Sequence, residues 1–311
     1  MLKTLLRKFS ISLSYFVNKN FKLNKKKHNL TEKYVSNKIL KFYKKTPKLL
    51  THKNLSSEIL KIIKEKKLKN FLRNNFIQNI FFIHNRLFIY FELKELKNDL
   101  NWKLWKKLIK DNSIGKPIWY FLYPESTGNR IRQVYILKKF LDLNPTVQLK
   151  EIKKIIEIGG GYGSMADIFF KINKKINYTI YDMYEVNLLQ YYYLSMNNHN
   201  PKLNSTKNKI NLINKLHDLK KNKNNSLVIA NWSLSEFPLR FRNKFISTIK
   251  SSQYTIISFQ KNFEKIDNYN YFLKQIKTLG SKYRTTIGTF NYYNSSFLNK
   301  NEHYILTICK K

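Results

Sequence analysis

The sequence predicts an α/β domain with a mainly parallel sheet, preceded by a helical N-terminal region. Three observations carry this. The first is Ile155-Ile156-Glu157-Ile158-Gly159-Gly160-Gly161-Tyr162-Gly163-Ser164, an apolar β-prone run ending in an acid and a glycine-rich turn. A helical run from Met165 to Lys171 follows. The second is the alternation of strand-like and helix-like segments from there to the C-terminus. The third is the helical spacing of apolar residues before residue 100, with no comparable strand signal.

The elements follow in chain order. Residues 1 to about 50 are Lys/Asn-rich and read as loosely packed helix and loop. From Asn54 or Ser56, either a fitting helix cap, Ile59, Leu60, Ile62, Ile63, Leu68, Phe71 and Leu72 recur at helical spacing. A second helical stretch covers roughly Ile77 to Leu96, and His84 on it reads as a core histidine. Residues 1–100 are thus a helical N-terminal region and 101–311 the α/β domain. Tyr123 to Arg130 is a polar loop before a helix bearing Ile131, Val134, Tyr135, Leu137 and Leu141, which Asn144-Pro145 ends. Glu125, Asn129 and Arg130 of that loop are open to two readings, ligand contact or loop and cap chemistry.

After the glycines, Asn177 to Asp182 reads as the second strand and Tyr184 to Asn197 as its helix. Lys209 to Ile213 and Ser226 to Ala230 read as the third and fourth strands. Pro238 suits the first turn of the next helix. Tyr254 to Phe259 reads as the fifth strand, leading to Gln260. Leu273 to Leu279 reads as a helix ended by Gly280. Tyr283 to Phe290 and His303 to Cys309 read as the last two strands.

Composition restricts the function less than it first suggests. The 311 residues carry 59 Lys+Arg against 19 Asp+Glu, a formal charge of +40. Such a balance suits an anionic partner. The cations are spread along the chain, however, amid Asn, Ile, Phe and Tyr, as A/T-rich codons would produce. The single cysteine, Cys309, excludes an intrachain disulfide and a Cys-based zinc site, and points to a reducing, cytoplasmic compartment. No uninterrupted apolar run reaches the length of a transmembrane helix. The basic opening, Met1 to Lys8, has too short an apolar run behind it for a signal peptide. It leaves open a peripheral contact with an anionic membrane.

The acid selects the ligand. A pyrophosphate on the glycine loop would be repelled by a carboxylate two residues before the first glycine, where Glu157 stands. A ligand without phosphates and with a cationic end suits it better. Asp182 ends the second strand about 20 residues past the glycines, where a ribose would be hydrogen-bonded. Its plainer role is to cap the following helix.

Glu157-x-Gly159-x-Gly161-x-Gly163 resembles motif I of the class I S-adenosylmethionine-dependent methyltransferases, which implies a Rossmann-like class I methyltransferase domain. Tyr283 to Phe290 and His303 to Cys309 resemble the antiparallel pair that closes a methyltransferase sheet. The resemblance implies that Glu157, Gly159, Gly160, Gly161 and Gly163 bind the methionine end of S-adenosylmethionine. Asp182 and Met183 would hold the ribose side, and Asn231 and Trp232, at the end of the fourth strand, would complete the cofactor set. Base N-methylating enzymes of this fold carry an Asn/Asp-Pro-Pro-Tyr-type segment there. This chain has Asn231-Trp232-Ser233-Leu234-Ser235-Glu236, which argues against that reaction.

Glu157 to Gly163, Tyr181-Asp182 with Leu189 to Leu194, Trp232 to Pro238, and Phe263 to Asn268 together resemble the sugar O-methyltransferase family over roughly residues 110–311. This resemblance implies methyl transfer to a hydroxyl of a sugar or polysaccharide unit. A hydroxyl is a weak nucleophile and benefits from a general base. Glu236 is the first candidate and His217 the second, with Asp218 and His303 behind them. No compact Asp/Glu/His cluster demands a metal. A nucleic-acid methyltransferase and a non-catalytic partner subunit of the same fold remain the other readings.

Overall fold

In the computed structural model, residues 9, 12–17, 31–44, 53–81, 88–219, 225–290 and 302–311 are described. His84 and the basic opening segment lie outside them.

An eight-stranded sheet organises the chain, in the order β3-β4-β2-β1-β5-β6-β10-β9. Its centre is β1 (Lys154–Ile158), between β2 (Asn177–Tyr181) and β5 (Ser226–Asn231), all parallel. Beyond β2 come β4 (Ile210–Ile213) and a three-residue edge strand, β3 (Pro201–Leu203), also parallel. Beyond β5 comes β6 (Tyr254–Gln260), again parallel. The last strand, β10 (His303–Lys310), inserts antiparallel between β6 and β9 (Tyr283–Thr289). This is the mainly parallel, Rossmann-like sheet with an antiparallel last strand that the sequence leads one to expect. The edge strand β3 is additional to it. So is a two-stranded hairpin, β7 (Asn262–Phe263) with β8 (Ile266–Asp267), in a stretch that reads as loop.

Strand periodicity sorts the core into two layers. Ile155, Tyr178, Leu227 and Ile229 face one cluster, whereas Ile156, Ile158, Val228 and Ala230 face the other. Glu157 follows Ile155 on the strand's first face, so its carboxylate is carried into the larger cluster.

That cluster is built largely from helices. The N-terminal ones are α1 (Glu32–Lys44), α2 (Lys53–Lys64), α3 (Asn75–Phe81), α4 (Phe88–Lys97) and α5 (Trp102–Ile109). The long stretch read from Asn54 breaks after α2 into a 3-10 turn, Leu68–Arg73, whose Phe71 and Leu72 are buried. Next come α6 (Gly128–Leu143), α7 (Ser164–Ile172) and α8 (Tyr184–Met196). Thr127 caps α6 by accepting from the Arg130 N–H at 3.1 Å. Val35, Ile59, Leu93 and Trp105 share one continuous apolar cluster with Ile155 and Tyr178, so the N-terminal helices and the sheet bury their faces together.

The second layer holds α9 (Ser233–Glu236), α10 (Leu239–Arg242), α11 (Ile246–Ser251) and α12 (Asn268–Lys277). Pro238 stands just before α10, and Asp267 caps α12, accepting from the Asn270 N–H at 2.9 Å. Among the described residues, no helix is long and apolar enough to cross a membrane.

Candidate active site at the carboxyl edge of the sheet

Ligands of open α/β sheets bind beyond the carboxyl ends of the strands. At that edge the chain places Glu157 with the glycine loop, then Asp182, Asn231-Trp232 and Gln260. Because β10 runs antiparallel, its first residue, His303, arrives at the same edge opposite Gln260.

The glycine loop is held by its own backbone and by side chains beneath it. Gly159 donates its N–H to the Tyr181 carbonyl at 2.9 Å, and Gly163 donates to Gly160 at 3.0 Å. Gly159 has φ +71, and a Cβ there would lie 2.3 Å from the Ser233 Cβ. Only a residue without a Cβ lets the β1 loop and the β5 turn meet so closely. A Cβ on Gly160 would fall 3.0 Å from Glu157 Oε2 and 2.6 Å from Ile180, so this glycine leaves the acid its space. Gly163 opens α7 in the left-handed region, with φ +95.

Glu157 is buried and accepts from the Tyr178 hydroxyl at 2.8 Å. Burial pushes its carboxyl up to about 8; the Tyr178 bond opposes this and the Asp182 charge adds to it. Asp182 is half-buried. It accepts from the Met183 N–H and from Gln190 Nε2, each at 2.9 Å. Its carboxyl is raised to about 7 by desolvation, against those bonds and the Gly160 N–H. Met183 begins the turn into α8 and offers its backbone rather than a side-chain cap. Among the described residues, neither acid is in an ion pair.

The β5 end is built differently. Trp232 has φ +61, a conformation that costs a bulky residue energy. Its N–H donates to the Ser258 carbonyl at 2.7 Å, and its indole N–H donates to His303 Nδ1 at 2.9 Å. The indole is a donor only, so His303 Nδ1 accepts and is not the atom that could take a proton from a substrate. Trp232 stacks on Phe290, with Arg132 5.1 Å from its ring. Arg132 is buried in an ion pair with Glu92. Asn231 Oδ1 accepts from the Ser258 hydroxyl at 3.0 Å.

Glu236 ends α9. It is exposed as a residue, yet desolvation of its carboxyl raises it above the usual range, against a long 3.4 Å bond from Gln260 Nε2. Gln260 in turn accepts from the Ser235 hydroxyl at 3.1 Å. His217 stands apart from this set. It lies on a 3-10 turn with its side chain 75% exposed and its ring 3.1 Å from Asp218. The structure thus brings together the glycines, Glu157, Asp182, Met183, Asn231 and Trp232, with Glu236 at the rim, and leaves His217 on the surface.

Of the polar loop before α6, Asn129 donates to the Tyr162 hydroxyl at 3.0 Å and so braces the glycine loop. Arg130 is fully buried. It pairs with Asp167 at 2.8 Å and donates to the Leu108 carbonyl at 2.9 Å and the Ser164 carbonyl at 3.2 Å. Its guanidinium is committed to the protein, and the structural reading of this residue holds. Glu125 accepts from the Tyr123 hydroxyl at 3.3 Å.

Three residues of this neighbourhood escape sequence reasoning. Gln190 ties Asp182 to the glycine loop, donating also to the Gly161 carbonyl at 3.0 Å. Tyr178 holds Glu157. Arg242, buried, donates to the Phe237 and Ser235 carbonyls and to Asn268 Oδ1, which joins the Ser-Glu-Phe-Pro and Asp-Asn segments into one unit. A signal existed for Gln190, as a polar residue in a helix otherwise apolar nearly all round. None existed for Arg242, one of 59 cations.

The donor set suits a ligand rich in hydroxyls. The two carboxylates accept hydrogen bonds and lack a cation. Asn231 Nδ2, at the end of β5, and Asn214 Oδ1, just past β4, are buried without a hydrogen-bond partner among the described residues. Unpaired polar atoms at that edge are what a bound nucleoside or sugar would satisfy.

No family model and no curated protein matches the chain. Among solved structures, the chain is similar to phosphoethanolamine N-methyltransferase 2 of Haemonchus contortus with S-adenosyl-L-methionine, at 11% identity and TM-score 0.41, covering 58% of this chain and 52% of that one. The chain therefore spans about half the length of that protein. It is similar to the methyltransferase domain of bacterial CtHen1-C at 14% identity and TM-score 0.42, covering 58% and 98% of the two chains. Magnesium protoporphyrin IX methyltransferase of Synechocystis with bound SAM gives 13% and 0.40, covering 72% and 97%. The sheet order and the site above, not these distant likenesses, carry the reading that follows.

Proposed function

We propose that the protein is an S-adenosylmethionine-dependent O-methyltransferase acting on a hydroxyl of a sugar or polysaccharide unit. The observation that carries the cofactor is the pair of acids, buried Glu157 and half-buried Asp182, set around a glycine loop and left without cations among the described residues. Asp182 would accept from the ribose hydroxyls; its two oxygens keep lone pairs beyond the Met183 and Gln190 bonds. Glu157 and the glycine backbone would face the methionine end, where a carboxylate favours the positive charge. When bound, the cofactor supplies an electrophilic methyl group on a sulfonium.

The protein's contribution is alignment and proton removal. Glu236 is the base. Its raised carboxyl makes it a stronger proton acceptor than an ordinary glutamate, and Gln260 holds it at the rim of the carboxyl edge. The sugar as acceptor rests on the resemblance of the Trp232 to Pro238 and Phe263 to Asn268 segments, which Arg242 binds together.

The test is transfer of labelled methyl from S-adenosylmethionine to a panel of glycans, with RNA and DNA as the alternative acceptors that the charge recommends. Glu236→Gln should lower the rate on glycans by about a hundredfold or more while leaving cofactor affinity unchanged. Labelling of RNA or DNA with no glycan product would replace the sugar reading.

A further inference from the structure

α8 presents one stripe of side chains to the glycine loop, and the stripe can be followed residue by residue. Leu194 lies 3.3 Å from where a Cβ on Gly163 would be. One turn earlier, Gln190 donates to the Gly161 carbonyl at 3.0 Å and to Asp182 at 2.9 Å. One further turn earlier stands Asn187, on the same face because residues three, four and seven apart align on a helix. Three residues of rise carry it about 4.5 Å past Gln190. α8 begins where β2 ends, so this step leads toward the carboxyl edge of the sheet. The neighbouring face of α8 is taken: Tyr191 packs edge-on against Phe42 of α1 at 5.5 Å, and the Tyr184 hydroxyl donates to the Phe42 carbonyl at 3.3 Å. By helical position Asn187 therefore falls between the face that Tyr184 and Tyr191 turn to α1 and the face that Gln190 turns to Asp182.

Asn187 is fully buried. Both its amide nitrogen and its amide oxygen lack a hydrogen-bond partner among the described residues. A buried carboxamide unsatisfied at both ends costs stability, and such groups call for an explanation. An apolar residue would pack this turn of the helix at no such cost.

We propose that Asn187 is a further ligand contact of the site, donating to and accepting from the nucleoside end of the cofactor. A ribose hydroxyl or the adenine edge offers both an acceptor and a donor, which is what the carboxamide requires. This rests on the S-adenosylmethionine reading above.

The test is calorimetric titration of the full chain with S-adenosylhomocysteine and with 5′-methylthioadenosine, which lacks the amino-acid end. The variants are Asn187→Leu, of similar size and apolar, and Asn187→Ala as a second in case leucine does not fold. Both ligands should bind about tenfold more weakly to the variants, by the same factor for each. Ligand-free Asn187→Leu should melt at or above the wild-type temperature, because an unpaired buried amide is gone. A merely structural asparagine predicts the reverse pattern, a lower melting temperature with affinity unchanged, and that would overturn the proposal. A loss for S-adenosylhomocysteine but not for methylthioadenosine would overturn its placement at the nucleoside end. Failure of the wild type to bind either ligand would instead remove the cofactor reading, and this proposal with it.

Discussion

Two groups of desolvated acids are treated in opposite ways. Asp167, in α7, is surrounded by basic side chains: Arg130 at 2.8 Å, Lys171 at 3.8 Å and the His199 ring at 3.0 Å. Despite burial, Arg130 and its neighbours hold the carboxyl well below the usual range. Glu157 and Asp182, at the edge of the sheet, have only neutral donors; desolvation raises both, and the Asp182 charge adds to the rise of Glu157. A chain with 59 Lys and Arg does not lack cations to place there. The difference separates a charge that holds the fold together from charges left for something the fold does not supply.

The sharpest way to break this contrast is to remove one partner on each side. Arg130→Leu strands Asp167 without its main counter-charge and should cost about 3–5 kcal/mol in urea unfolding, softened by Lys171 and His199. Glu157→Gln removes a charge that burial already disfavours and should leave stability within about 1 kcal/mol of wild type. Equal losses in the two variants would erase the distinction.

Next in size is the loop. Gly159→Ala forces a left-handed residue against Ser233 and should cost about 1–3 kcal/mol, with cofactor binding lost along with the turn. A fully stable Gly159→Ala would mean that the β1 and β5 loops are not locked together.

The pH dependence has opposite signs in the two groups. Glu157 and Asp182 have folded-state pKa values of about 8 and about 7, above their ordinary values of 4.5 and 3.8. The folded protein therefore binds more protons than the unfolded chain across that window, and their contribution falls as pH rises through it. Asp167 is depressed, so its contribution is present above its ordinary value of 3.8 and is lost as pH falls further. Melting temperatures of Glu157→Gln should thus gain on wild type as pH rises from about 5 to 8. A difference independent of pH would show that Glu157 does not titrate in this range.

The fold was readable because its signals are local. Apolar runs, glycines and caps mark β1, β2, β4, β5, β6 and their helices, and two further strand patterns mark β9 and β10, whose antiparallel pairing the resemblance implied. What stayed hidden depends on tertiary contact. The helix drawn from Asn54 breaks at a 3-10 turn because Phe71 and Leu72 bury under the domain. The three residues of β3 are too few to carry a periodicity. At the site, spacing alone located Glu157, the glycines and Asp182, since strand, turn and strand fix their relation. The partners Tyr178, Gln190 and Arg242 arrive from 21, 8 and 26 residues away from the groups they hold, and only folding brings them there. His217 looked catalytic by residue type; the structure sets it on an exposed turn beside Asp218, apart from the glycine loop.

The most direct measurement is S-adenosylmethionine binding by calorimetry, at pH 8, to the wild type and to Asp182→Ala. The unpaired acids predict a saturable heat for the wild type and a roughly 10- to 100-fold weaker affinity for the variant, the cost of a lost hydrogen bond to a charged group. A folded wild type that does not bind, or a variant that binds as tightly, would contradict the claim that these acids are held open for a cofactor.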